Sequence, residues 1–278
     1  MATGYGPFNG FNDGSTAGKA APCALAIKAI NSAAADGVYW INLPVVGPTQ
    51  IYCIMSSSYD GGGWMMAMKA TRGTTFQYDS TYWTAVNTLN PTQTNQNDGD
   101  AKFDVMNYYP AKDMLARWPD ITTSNGGSIS GLGAHIWLQN NITGSHSLGT
   151  LASGVDNGRI TPIRFFSGSS KLFIKDAKTY DGWQSGIFSS QSDVRFYGFN
   201  FLNTPAWAGS RWGFGWNENG GGLYPNGDMG SDDVFGGIGM KTITWGSGTN
   251  GYSAGDAISC CQDSTGLNRS ARVEVYIR

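Results

Sequence analysis

The apolar positions of this chain change period as the sequence advances. Leu25, Ile27, Ala29, Ile30 and Ala33 recur at helical spacing, with Pro22 suited to a helix start and Gly37 to its exit. One amphipathic helix is expected over Ala24 to Ala35. The segments Gly37 to Leu43 and Gln50 to Met55 are rich in β-branched and aromatic residues and flank a Pro/Gly turn, so they predict a β-hairpin. The glycines at 61–63 turn the chain into a further apolar strand, Met65 to Ala70. Ala111 to Trp118 reads as a short helix. Strands are expected at Ala134 to Leu138, Pro162 to Phe166, Lys171 to Ile174, Val194 to Phe201, Met240 to Trp245 and Arg272 to Ile277.

Long polar loops fall between these elements, above all Thr84 to Asp100 and Asn217 to Gly237. In a compact domain such loops are functional or are held by something other than backbone pairing. No fixed period emerges, which argues against a solenoid or a propeller. Residues 1–22 carry no periodicity, and Tyr5, Phe8 and Phe11 are their only large apolar groups. They read as a flexible arm, or as an assembly arm that orders when those aromatics dock on a neighbouring subunit.

Composition narrows the class. With 40 glycines in 278 residues, 14% charged and 13% aromatic residues, the chain should be loop-rich, strand-based and well ordered. A net charge of −2 lacks the basic footprint that phosphate backbones require, so nucleic acid is not an expected partner. No apolar run approaches the ~20 residues of a membrane helix, and the first residues lack a basic region followed by an apolar core. The expectation is a chain without membrane insertion, made without a secretion signal.

Chemistry concentrates in one loop. Asn226, Asp228, Asp232 and Asp233 place three carboxylates and an amide within eight residues. Calcium gathers six to eight hard oxygen ligands from such loops. The competing reading is a solvated turn whose side chains bond their own backbone. Asn217, Glu218 and Asn219 are further candidate ligands. Trp245 and Tyr252 offer aromatic faces for a sugar, against the alternative that they are core. Cys260 and Cys261 are adjacent and read as unpaired thiols or as one bonded to another chain. With two histidines, His135 and His146, and no Gly-x-Ser-x-Gly elbow, a hydrolytic triad has few members, and an enzyme is not expected.

Cys23, the helix, Gly37-Val38-Tyr39-Trp40-Ile41, then Ile51-Tyr52-Cys53-Ile54-Met55 and Gly61-Gly62-Gly63-Trp64 together resemble the opening of fibrinogen-related domains. Gly220-Gly221-Gly222-Leu223-Tyr224-Pro225 resembles a glycine-rich loop of the intelectins, the calcium-dependent lectin branch of that group, and Arg272 to Arg278 is similar to the family's terminal strand. The resemblance implies an α+β fold: one fibrinogen-related, intelectin-like domain over 23–278, with short twisted antiparallel sheets, few short helices and long ordered loops, preceded by the arm at 1–22. It also implies a Cys23 to Cys53 disulfide. It further implies a calcium ion that bridges a vicinal diol of a sugar between aromatics near Trp245 and Tyr252. Asn226 stands where the family has a calcium-binding Glu, and Asn217 to Asn219 lack the His found there.

A recognition fold of extracellular type, without a secretion signal or a coiled-coil stalk, suits a virion protein made in host cytoplasm and exposed on the released particle. The expectation is a bacteriophage capsid, neck or tail decoration or adhesion protein. It would be a homo-oligomer joined to other virion subunits through its arm, with surface glycans as a further partner. The alternative is a free, secreted calcium-dependent lectin.

Overall fold

The computed structural model describes residues 12–59, 61–111, 113–119 and 272–278, together with strand segments 136–141, 172–173, 194–202, 209–216, 234–244, 248–258 and 269–270. These residues form two antiparallel sheets with few, short helices. In chain order the elements are α1 (Ala24–Ile30), β1 (Gly37–Leu43), β2 (Gly47–Ile54), β3 (Trp64–Ala70), β4 (Ala101–Lys102), α2 (Asp104–Tyr108), β5 (Asp113–Trp118), β6 (Ile136–Asn141) and β7 (Leu172–Phe173). They continue with β8 (Val194–Leu202), β9 (Gly209–Trp216), β10 (Val234–Thr244), β11 (Gly248–Ile258), β12 (Arg269–Ser270) and β13 (Val273–Ile277).

The first sheet runs β1-β2-β3-β13-β5-β6-β7, with β4 also paired to β3, and the second runs β12-β11-β10-β9-β8. The last strand of the chain therefore lies inside the first sheet, between β3 and β5. That position is covered on both faces, and every residue of β3 and β13 is buried. A strand so placed reads as a continuous apolar run, and Trp64 to Met68 is one. Ala67 is an extra residue against β13, since Met68 pairs with Val275 and Met66 with Tyr276. The bulge brings Lys69 opposite Glu274.

The helix is shorter than its periodicity suggests. At Asn31 the backbone turns to φ −135°, and the Asn31 side chain accepts the amide of Ala33 at 3.1 Å, offering the chain a local bond in place of another helical turn. Ala24 and Ile27 face the core while Leu25 and Ile30 stay exposed. The β1–β2 hairpin forms as expected, with register Gly37↔Cys53 through Leu43↔Gly47.

The expected helix at Ala111 to Trp118 is a strand instead. Met114, Leu115 and Ala116 are all at most 1% exposed, because β13 pairs with one edge of β5 and β6 with the other. A surface helix buries one stripe, whereas three consecutive buried positions need a strand covered on both faces. Tertiary burial overrides local helix propensity here. The expected strands at 194–201 and 272–277 correspond to β8 and β13. Those expected at 134–138, 171–174 and 240–245 correspond to β6, β7 and β10 with shifted bounds, and Pro162 to Phe166 lies outside the described residues. β9 and β11 occupy stretches too rich in glycine to read as strands from pattern.

Residues 71–83 join the two sheets. Tyr78 N donates to Met240 O at 3.2 Å, Ser253 N to Gly73 O at 2.7 Å, and the Ser253 hydroxyl accepts from Phe76 N at 2.9 Å. Gly251 admits the Gln77 side chain, which a Cβ would meet at 2.4 Å. Phe76 and Trp83 from this segment share one apolar cluster with Trp212, Ile238 and Ala254 of the second sheet and with the buried residues of the first.

Of the expected arm, residues 12–21 lie against the outer edge of β1. Trp40 N donates to Gly14 O at 2.8 Å, Ala21 N to Trp40 O at 2.9 Å and Asn42 N to Ala21 O at 2.7 Å. Gly14, at φ 73°, sits where a Cβ would strike Ile27 Cδ1 at 2.7 Å. Only glycine allows so close an approach in this conformation.

Candidate functional site

The residues singled out for chemistry fall unevenly on the described part of the molecule. Asn217, Glu218, Asn219, Asn226, Asp228, Asp232, Asp233, Trp245, Cys260 and Cys261 lie outside it. Tyr252 is half-buried on β11, where it pairs with Met240; Met240 also pairs with Ser210 on β9. Ser210 is fully buried, and among the described residues its hydroxyl has no hydrogen-bond partner. Among the described residues no group of three or more His, Cys, Asp or Glu is placed to hold a metal ion.

The implied bridge between Cys23 and Cys53 is not formed: both are free thiols. Cys53 is fully buried on β2 and donates to Ile51 O at 3.5 Å, while Cys23, at the start of α1, packs partly against the same core. Burial pushes the Cys53 thiol well above its ordinary value, and the neighbouring Cys23 adds to that shift. A thiol so held stays protonated and behaves as a small apolar group.

A polar cluster under the 89–100 loop is the most developed arrangement among the described residues. Glu274 is 1% exposed in the middle of β13. Its carboxylate accepts from Arg272 Nη2 at 2.8 Å and from the Tyr276 hydroxyl at 2.7 Å, with Arg117 Nη1 at 3.6 Å. Gln96 reaches down from the loop: its amide nitrogen donates to Tyr276 Oη at 2.9 Å, and its amide oxygen accepts from the Tyr52 hydroxyl at 2.9 Å. Lys69, buried beside Glu274, donates to Asn95 O, Asn95 Oδ1 and Asn97 O at 3.0, 2.9 and 3.0 Å. Its ammonium thus fills a cage of loop oxygens.

The electrostatics follow from burial. Desolvation drives the Tyr276 phenol well above its ordinary value, with Glu274 adding to the shift, and it raises the Tyr52 phenol to about 12. Desolvation lowers Lys69, against the pull of Glu274. Both tyrosines therefore act as neutral donors. Removing one partner of a buried ion pair costs on the order of 3–5 kcal/mol, because the charge left behind is uncompensated. What the cluster does is fasten the loop to the sheet: Tyr52, Gln96 and Tyr276 are locked in one orientation.

This cluster was within reach of the sequence. Arg272, Glu274 and Tyr276 alternate with Val273, Val275 and Ile277, so a strand here must put a charged row on one face. Its partners in the loop lie 178 residues away, at Gln96, and no local pattern points to them.

A second buried lysine closes the short helical turn at Thr81–Trp83. Lys102 on β4 is 0% exposed and donates to Tyr82 O at 2.7 Å and to Ala85 O. On β9, Arg211 donates through Nε to Tyr78 O at 2.8 Å and stacks over the Tyr78 ring at 4.2 Å.

No protein-family model matches the chain, and no curated protein is significantly similar to it.

Proposed function

We propose that this chain is a non-enzymatic structural or recognition subunit of a bacteriophage particle, a fibrinogen-related, intelectin-like module joined to its neighbours through its first residues. Among the described residues, the antiparallel sheets, few short helices and the fastened loop at 89–100 are compatible with the fold that the resemblance from Cys23 onward implies.

One observation carries the assembly reading. Backbone bonds from Trp40 and Asn42 to Gly14 and Ala21 fix residues 12–21 along the edge of β1. The point from which residues 1–11 depart is therefore set by the fold, and those residues carry Tyr5, Phe8 and Phe11. Three aromatics on an uncharged, glycine-containing segment suit docking on another subunit, since aromatic side chains give large contact area for little conformational entropy. A particle would supply the valency that makes weak surface contacts useful. Glycan capture through calcium at Asn226, Asp228, Asp232 and Asp233, beside Trp245 and Tyr252, belongs to the same reading, and a free lectin is its alternative.

Sedimentation velocity on the full chain and on a Tyr5→Ser, Phe8→Ser, Phe11→Ser variant tests this. The full chain should form a homo-oligomer and the variant should be a monomer with the same melting temperature. A variant that assembles like the parent, or a parent that stays monomeric at high concentration, would remove the assembly arm from the account.

A further inference from the structure

The outer face of the β1–β2 hairpin is a second candidate contact surface, distinct from the acidic loop and its aromatics. Alternation sends Ile41, Leu43, Ile51 and Cys53 into the core, where each is at most 3% exposed. The intervening positions lie on the opposite face of the hairpin, which the 89–100 loop reaches at Tyr52. In register they are Val38 opposite Tyr52, Trp40 opposite Gln50 and Asn42 opposite Pro48. Val38, Asn42, Pro48 and Gln50 are exposed, and Trp40 and Tyr52 are half-buried. Tyr52 packs against the core, whereas among the described residues Trp40 is not part of that cluster.

Three features bear on the occupant. From Gly37 to Ile54 the hairpin contains no charged residue, so the strip offers rings and amides but no ion for a phosphate, a carboxylate or a basic peptide. The free edge of β1, where a polypeptide would add as a further strand, is already taken at Trp40 and Asn42 by Gly14 and Ala21. The strip is also small. Two strands about seven residues long span roughly 23 by 10 Å, on the order of 200 Å², against the ~800 Å² per partner of a stable protein interface.

We propose that this strip binds an uncharged oligosaccharide, without a metal ion. The indole of Trp40 and the ring of Tyr52 lie on diagonal positions of adjacent strands, spaced to lie under neighbouring sugar rings whose C–H faces stack on aromatics. Gln50 and Asn42 supply amide donors and acceptors for hydroxyl groups. Tyr52 is held in place by its 2.9 Å bond to Gln96, itself tied to Tyr276, so one ring of the platform is preorganised and little entropy is lost on binding. The proposal shares a ligand class with the glycan part of the proposed function but does not depend on calcium, Trp245, the arm or a particle.

The test is a glycan array on the full chain in chelator, followed by titration calorimetry with the neutral oligosaccharide that gives the strongest signal. Binding should persist in chelator, fall at least tenfold in Trp40→Ala and in Gln50→Arg, and stay within twofold in Trp245→Ala. Gln50 is exposed, so its variant should fold normally and serves as the check if Trp40→Ala does not. Failure to capture any neutral glycan, capture limited to charged glycans, or binding that survives both hairpin substitutions would each overturn the proposal. So would self-association lost in Trp40→Ala without glycan binding, which would make the strip a contact between copies.

Discussion

Lys102 shows how a single side chain can couple this fold to pH. Its ammonium has no contact with water and is held by two carbonyl oxygens, and desolvation lowers it from 10.5 to about 8. The unfolded chain keeps that proton to about pH 10.5 and the folded chain releases it near 8, so across this window the unfolded state binds more protons and stability rises with pH. The neutral amine can still donate to both carbonyls. Cys53 and Tyr276 act in the opposite sense above their unfolded values, because burial favours their protonated forms. Comparison with Lys102→Met cancels those contributions. Between pH 8 and 9.5 the parent should gain about 2 kcal/mol relative to the variant, read from urea unfolding at each pH. A difference that stays flat would mean that Lys102 is not desolvated as described.

At the scale of elements, what was legible in the sequence depended on whether local pattern and tertiary environment agreed. The β1–β2 hairpin, β3 and β13 were readable because their apolar runs match the burial they receive. β5 was not, since its Ala, Leu, Met and Arg favour a helix and only its place between β13 and β6 makes it a strand. β9 and β11 were hidden by glycines; at Gly251 of β11, and likewise at Gly239 of β10, the missing side chain is what lets Gln77, Arg211 and Trp83 approach. The loop at 84–100 read as one held by something other than backbone pairing, but its holders could not be named, because the buried groups that fasten it come from strands distant in sequence.

The segment along β1 gives a direct test at this scale. A side chain at Gly14 would collide with Ile27 and would sit at φ 73°. Gly14→Val should therefore strip residues 12–21 from the edge while leaving the hairpin paired. In hydrogen exchange, the amides of Trp40 and Asn42 should lose at least tenfold in protection, and those of the β2–β3 ladder should change little. Unchanged protection at Trp40 would show that Gly14 is not the anchor.

As a whole, the described part of the molecule is an antiparallel scaffold whose buried polar groups hold loops and join sheets. Of the candidate chemistry for recognition, the Trp40 strip lies on one described hairpin, whereas the acidic loop, Trp245 and residues 1–11 lie outside the described residues. Of the site expected from sequence, only Tyr252 and the two cysteines fall where the structure describes them, and the cysteines stand as thiols. The rest lie outside the described residues.

The claim on which the account turns is that the first residues join this module to its neighbours. Hydrogen exchange on residues 1–11, compared between the full chain at a concentration where it sediments as an oligomer and the same chain diluted to the monomer, tests it most directly. The account predicts strong protection around Tyr5, Phe8 and Phe11 in the oligomer and none in the monomer. Equal exchange in both states, with protection gained elsewhere, would contradict it and would place the assembly contact on another surface.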